Sequence, residues 1–230
     1  MKKLSIIIPC FNEEKTINKL IDKVKEVNLE NFTKEIIVIN DGSTDNTLNI
    51  LSKIKEIKLI NYDINVGKGY AVNKGILEST GDLIIIQDGD LEYEPNDYLK
   101  LLNLFKKDEV HVVYGSRRLK NNKYSHLSFY LGGILLTWLV NILFPFTTNI
   151  TDEPTCYKMF RSKLIKNIKI KSKGFELCPE ITIKILKKGY TIYEVPITYN
   201  PRTNKEGKKI KWKDGVIAIF TILKFRFFYD

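Results

Sequence analysis

Short β-branched runs alternate along the chain with longer stretches whose apolar positions recur every three or four residues. Leu4-Ser5-Ile6-Ile7-Ile8 is the first run and reads as a buried strand. From Glu13 to Val27 the apolar positions Ile17, Leu20, Ile21, Val24 and Val27 keep helical spacing. Glu13 and Glu14 then fall in the first turn, where the helix dipole favours acids. Glu35–Ile39 predicts a second strand, Thr44–Ile54 a helix and Ile57–Ile60 a third strand. A loop at Asn65–Gly69, a helix over Tyr70–Glu78 and a strand over Asp82–Ile86 follow. Pro95 opens a helix to about Lys106, and Val110–Tyr114 is the fifth strand.

Strands and helices in alternation predict an α/β fold, a mostly parallel sheet flanked by helices on both faces. Ligands collect at the carboxyl ends of strands in such sheets. Three predicted strands end in polar segments: Pro9-Cys10-Phe11-Asn12-Glu13, Asn40-Asp41-Gly42-Ser43 and Gln87-Asp88-Gly89-Asp90. Each alone is an ordinary turn composition; together on one rim they would form a site. Asp88 and Asp90 flank a glycine, a pattern suited to a hard divalent cation, with Glu92 available as a third oxygen.

The second half is less regular. Thr155–Phe160 predicts a strand, Phe175–Lys187 a helix, and Tyr190–Tyr199 a strand broken by Pro196. Pro201–Lys213 is a basic loop and Val216–Tyr229 an apolar-rich helix. With 230 residues and no repeat or linker, the chain reads as one domain over residues 1–212 with a helical extension over 213–230.

Charge divides the chain in two. Residues 1–99 carry 12 basic and 17 acidic side chains, whereas residues 100–230 carry 25 and 10. An acidic first half suits a metal ion, and a basic second half suits phosphates on a nucleotide, a nucleic acid or a membrane. A single-strand nucleic-acid binder would need aromatics clustered on basic strands, and that pattern is missing. The three cysteines, Cys10, Cys156 and Cys178, form no Cys-x-x-Cys pair, which argues against a zinc ribbon and for a reducing setting. Cys10 reads as a small buried residue rather than a nucleophile.

Two segments bear on membranes. The apolar run Leu4–Pro9 is only six residues, shorter than the ~7–15 of a signal peptide. Leu127–Phe146 holds 20 residues without a charge, but Gly132-Gly133, Asn141 and Pro145 interrupt it. It reads, like Val216–Tyr229, as helix lying at a membrane surface or packed on the domain.

The motifs in order resemble the family-2 glycosyltransferases of the GT-A fold, nearest to their dolichyl-phosphate mannose synthase branch. The matching elements are Pro9-x-Phe11-Asn12-Glu13, Asn40-Asp41-Gly42-Ser43-Thr44-Asp45, Asn65-x-Gly67-Lys68-Gly69, Asp88-Gly89-Asp90, Gly115-Ser116-Arg117, and Arg202 with Lys208. The resemblance implies a Rossmann-like domain in which Pro9, Phe11, Glu13, Ile39 and Asp41 hold the nucleoside of a GDP- or UDP-sugar. It places the diphosphate over Asp88, Gly89 and Asp90, with Mg²⁺ or Mn²⁺ held by Asp88, Asp90 and Glu92. It gives Arg117, Arg202 and Lys208 to the phosphates, with Asp90, Arg117 and Arg202 as the catalytic residues. It implies inversion at the anomeric carbon and a polyprenyl phosphate acceptor, the chain lying at the cytoplasmic, inner face of the membrane without nucleic acid as a partner. The alternative acceptor is a glycan hydroxyl, which needs a carboxylate base. Polysaccharide-extending members carry an adjacent Glu-Asp pair late in the domain, whereas here Glu176 and Glu180 stand apart. Lys68 reads equally as a phosphate contact or a solvated loop lysine, and Asp152-Glu153-Pro154 as a structural turn with a site role open for Asp152.

Overall fold

The computed structural model describes residues 1–124, 126–147, 149–202, 207 and 209–228. Its centre is a seven-stranded sheet in the order β3-β2-β1-β4-β6-β5-β7. The strands are β1 (Lys2–Cys10), β2 (Phe32–Asp41), β3 (Lys58–Tyr62), β4 (Leu83–Ile86), β5 (Val112–Ser116), β6 (Lys158–Arg161) and β7 (Ile192–Pro196). β1 pairs in parallel with both β2 and β4, β2 with β3, and β5 with β7. Only β6 runs the other way, antiparallel to β4 and β5 between which it lies.

Period-two alternation splits each strand's side chains between two cores. Ile7, Ile37, Ile39, Ile84 and Ile86 face one side. There they meet α3 (Lys68–Glu78), α5 (Leu127–Leu143), α6 (Ser162–Lys166), α7 (Leu177–Lys187) and α8 (Trp212–Phe227). Ile6, Ile8, Val38 and Ile85 face the other, under α1 (Ile17–Glu26), α2 (Thr47–Ser52) and α4 (Tyr98–Leu104). Both faces are covered, which is why the strands read as unbroken apolar runs. Gly75 lets α3 lie against the sheet, since a Cβ there would fall 2.4 Å from Ile7 Cγ2.

Several elements depart from the sequence pattern. α1 begins at Ile17, not Glu13: Asn12 turns the chain at φ 50°, and the amides of Thr16 and Ile17 both donate to the Glu13 carbonyl. Glu13 and Glu14 thus stand ahead of the helix, and Glu14 instead accepts from the Asn46 amide at 3.0 Å. α5 is one helix that runs through Gly132-Gly133. α8 starts at Trp212, ahead of the predicted Val216, because Asp214 accepts from the Lys211 amide at 2.6 Å and caps the first turn. It is no free appendage: it packs on α7 and α5, with Ala218, Ile222 and Phe225 buried in the shared core. Among the described residues no helix is long and apolar enough to cross a membrane.

Candidate active site

Parallel pairing sets the carboxyl ends of β2, β1 and β4 side by side, so the three polar segments read from the sequence share one rim. β5 and β7 run in the same sense and bring Arg117 and Arg202 to it, beyond their last residues. The reversal of β6 is what adds residues 152–157: they lead into its amino end, which lies on that rim too. The result is a cleft of about 1240 Å³.

Its floor is acidic, and among the described residues every carboxylate lining it is engaged. Glu13 accepts from Arg202 Nη1 at 3.0 Å, Lys209 Nζ at 2.6 Å and the Thr16 hydroxyl at 2.9 Å. Asp90 accepts from Arg202 Nη2 at 2.7 Å and from the Glu92 amide. Glu92 accepts from Tyr199 Oη at 2.8 Å and the Arg202 amide at 2.7 Å. Asp88 Oδ1 lies 2.5 Å from Lys68 Nζ, a charge contact without a hydrogen bond. Asp152 takes the Arg117 guanidinium as a fork, Nε and Nη2 each at 2.7 Å, and also the Arg117 amide. Asp41 is spent on the backbone: its two oxygens receive the amides of Val66 and Gly67 at 3.0 and 2.7 Å. That clamp ties the turn after β2 to the loop before α3. Gly42 and Gly67, at φ 69° and 120°, allow it, since a Cβ on either would fall 2.4 Å from backbone.

The charges press on one another. Burial, helped by Asp88 and Glu92 and opposed by Arg202, pushes the Asp90 carboxyl up to about 7. Burial works against the charge on Lys68, but Asp88 and two neighbouring thiols hold its ammonium well above the ordinary value. Arg117 is half-buried; burial works against its charge too, but Asp152 holds it firmly charged. Its guanidinium sits 5.2 Å over the Tyr199 ring.

Of the residues singled out in the sequence, Pro9, Phe11, Glu13 and Asp41 line the cleft, as do Asp88, Gly89, Asp90, Glu92, Arg117 and Arg202. Ile39 does not: it is fully buried and packs under α3, because its side chain falls on the core face of β2. Lys208 lies outside the described residues. Asp88, Asp90 and Glu92 do not gather as a three-carboxylate cage, and among the described residues no three His, Cys, Asp or Glu side chains do. The Glu92 amide closes a turn onto Asp90 while its carboxylate faces Tyr199 and the backbone of Arg202. An Asp88–Asp90 pair with a hydrogen-bond-free buried oxygen on Asp88 and a strongly raised Asp90 still suits a dication. The sequence left Lys68 open, and the structure puts it on Asp88. It passed over Tyr199, at the end of the strand expected over Tyr190–Tyr199, and Lys209, whose place in the basic loop carries no periodic signal. Glu176 and Glu180 are structural: Glu180 is fully buried and receives the amides of Lys171 and Ser172, and Glu176 those of Lys173 and Gly174.

The sequence pattern of Glycosyl transferase family 2 matches residues 5–169, most of the chain and all of the acidic rim. The chain belongs to Glycosyl transferase family 2. It is 29% identical over 214 residues to the dolichol-phosphate mannosyltransferase of Pyrococcus furiosus, covering 90% of this chain and 59% of that one. It is also 29% identical over 244 residues to a dolichyl-phosphate beta-glucosyltransferase of Trichomonas vaginalis, covering 98% of this chain and 73% of the relative. This family-2 chain thus spans about three fifths of the first relative's length and under three quarters of the second's. Among solved structures, glucosyl-3-phosphoglycerate synthase from Mycobacterium tuberculosis with uridine diphosphate superposes with a TM-score of 0.77 at 18% identity. The match covers all of this chain and 82% of that one, and establishes the same α/β fold.

Proposed function

We propose that this family-2 chain is an inverting glycosyltransferase that moves a sugar from a GDP- or UDP-sugar to a polyprenyl phosphate at the inner face of a membrane. One observation carries the reading. A single cleft holds the Asp88–Asp90 pair and, among its basic residues, the acid-paired cations Lys68, Arg117, Arg202 and Lys209, and continues into an apolar wall where α5 and α8 begin. The named activities of the Pyrococcus and Trichomonas relatives support it, as do solved neighbours holding Mn²⁺ or Mg²⁺ with uridine diphosphate.

In this reading Pro9, Phe11, Glu13 and Asp41 take the nucleoside, and Asp88 and Asp90 hold Mg²⁺ or Mn²⁺. A bound dication stabilises the negative charge of the departing nucleoside diphosphate. Arg202, whose Nε has no hydrogen-bond partner, supplies guanidinium donors that suit phosphate oxygens, and Arg117, its fork held by Asp152, adds a fixed positive charge. A phosphate monoester, with a second pKa near ~6, is already largely ionised at pH 7 and requires no base. A hydroxyl acceptor does require one, and each described carboxylate of the cleft is already engaged.

The prenyl chain and the membrane fall to α5 and α8. Leu131, Leu135 and Trp138 on α5, and Trp212, Phe220 and Phe227 on α8, are exposed, Trp138 at 60% and Phe220 at 67%. At ~1.5 Å per residue neither helix reaches ~30 Å, so both would lie along the surface. Exposed Lys123, Lys211, Lys213 and Lys224 beside them suit anionic headgroups. A turnover panel tests the whole: GDP- and UDP-sugars with Mg²⁺ or Mn²⁺, against short-chain prenyl phosphate and oligosaccharide acceptors. Transfer to the prenyl phosphate is expected; transfer to oligosaccharides alone overturns the acceptor.

A further inference from the structure

Two of the three cysteines, far apart in sequence, meet at the cleft wall. Cys156 Sγ and Cys178 Sγ are 3.6 Å apart, both thiols free. Cys178 sits in the first turn of α7, at the positive end of the helix dipole, which favours a thiolate. Cys156 lines the cleft, so a small oxidant reaches it from solvent. Its sulfur also accepts from Lys68 Nζ at 2.9 Å, and Lys68 is the ammonium facing Asp88. A hydrogen bond from Cys156 and the two nearby ammoniums, Lys158 and Lys68, outweigh burial and lower the Cys178 thiol, while Cys156 is held up.

We propose that Cys156 and Cys178 form a peroxide-reactive dithiol whose closure to a disulfide disables the adjacent donor site. One thiol attacks the peroxide O–O bond; a sulfur–oxygen bond forms and water leaves. The second thiol attacks that sulfenic acid; the sulfur–sulfur bond forms, the sulfur–oxygen bond breaks and a second water leaves with the thiol's proton. Two thiols are oxidised and one peroxide is reduced to two waters. The sulfurs must close by about 1.5 Å to reach bonding distance. Cys178 is the less free to move, buried in α7, so Cys156 gives way. That takes the sulfur from Lys68 and pulls on the segment whose Asp152 orients Arg117. Dithiol reductants reverse the bond.

The experiment treats the full chain with stoichiometric hydrogen peroxide, alkylates the remaining thiols and maps peptides by mass spectrometry. The expected result is a Cys156–Cys178 linked peptide in most molecules, removed by dithiothreitol and still formed in Cys10→Ser. Sulfinic acid at either position without a linked peptide, oxidation confined to Cys10, or no oxidation at all overturns the proposal. The second readout is thermal stabilisation by Mn²⁺ with UDP or GDP, which should fall about tenfold in apparent affinity on oxidation and recover on reduction. Equal affinity in both states overturns the coupling to the donor site. This second readout rests on the proposed function, and the two failures separate: a reduced protein that binds neither nucleotide counts against that function, while the linked peptide is read without any nucleotide.

Discussion

The two walls of the cleft are built on different terms. The acidic wall stands on the ends of β1, β2 and β4, three adjacent parallel strands buried on both faces, and its turns are fixed by backbone clamps such as Asp41 on Val66 and Gly67. Its geometry is set by the sheet. Apart from Lys68 at the start of α3, the paired cations come from segments outside regular structure: Arg117 just past β5, Arg202 and Lys209 in the stretch between β7 and α8. Those cations are held by the acids they neutralise, Arg202 by Glu13 and Asp90, Lys209 by Glu13. The carboxylates are therefore placed before any ligand arrives, whereas most of the cations must trade a carboxylate for a phosphate. Arg117 is the exception, since fully buried Asp152 anchors it from behind.

The largest effect expected from this asymmetry is on the acidic wall. Asp88→Asn or Asp90→Asn should lower turnover by about 10²–10³-fold, because stabilisation of leaving-group charge is worth several kcal/mol. The melting temperature should not drop, since neither carboxylate packs the core. Wild-type turnover in both variants, or in excess EDTA, refutes the metal role. On the cationic wall Arg202→Ala should cost about 10–100-fold in kcat/KM for the prenyl phosphate, the worth of charge-assisted hydrogen bonds. Arg202→Lys should recover part of that, as a point charge without the fork. Unchanged kinetics for donor and acceptor in Arg202→Ala would make the wall's cations mere partners of the acids.

The exposed apolar face of α8, outside the cleft, should respond more weakly. Changing Phe220, Phe227 and Phe228 together to Ser removes three exposed rings of α8 and its end. Flotation with anionic vesicles should show binding weakened by about tenfold or more, each ring contributing part of the ~1.5–3 kcal/mol of full burial. Equal flotation of both proteins would return α8 to an ordinary covering helix.

The smallest effect is on acid stability. Burial alone would raise the Asp152 carboxyl, but Arg117, by charge and by hydrogen bonds, holds it below the ordinary value. A depressed folded pKa contributes stability that is fully present above the unfolded value of ~3.9 and is lost as pH falls through the lower folded one. The wild type should therefore lose more stability than Asp152→Asn between about pH 4 and pH 2 in urea melts. Parallel curves would show that the pair orients Arg117 without stabilising the fold.

The acidic wall was legible in the sequence because each of its parts follows a strand buried on both faces, which shows as an uninterrupted run such as Leu83–Ile86 ending in Asp88-Gly89-Asp90. The strand limits shifted by up to three residues, as with Glu35–Ile39 against Phe32–Asp41. Ile39 shares the motif yet turns its side chain to the core, because identity in a motif does not say which face of a strand a side chain takes. The cationic wall was less legible for a physical reason. Outside helices and strands nothing periodic tells which lysine of a basic loop reaches the cleft, so Lys209 went unmarked. The meeting of Cys156 with Cys178 and Lys68 left no local trace, because it depends on β6 entering the sheet in reverse and on α3 lying against the segment at Ser172–Gly174.

That reversed strand has a consequence for how the molecule is made. β6 fills the gap between β4 and β5, so β4 has one side open until residues 158–161 have left the ribosome. At about 5–20 residues per second that interval lasts several seconds. Throughout it the nascent chain presents Leu83-Ile84-Ile85-Ile86, four apolar residues with free backbone donors and acceptors along one edge, to whatever else is in reach. Slowing synthesis between Ile86 and Lys158 should therefore raise the aggregated fraction of newly made protein, while leaving the finished molecule as stable as before.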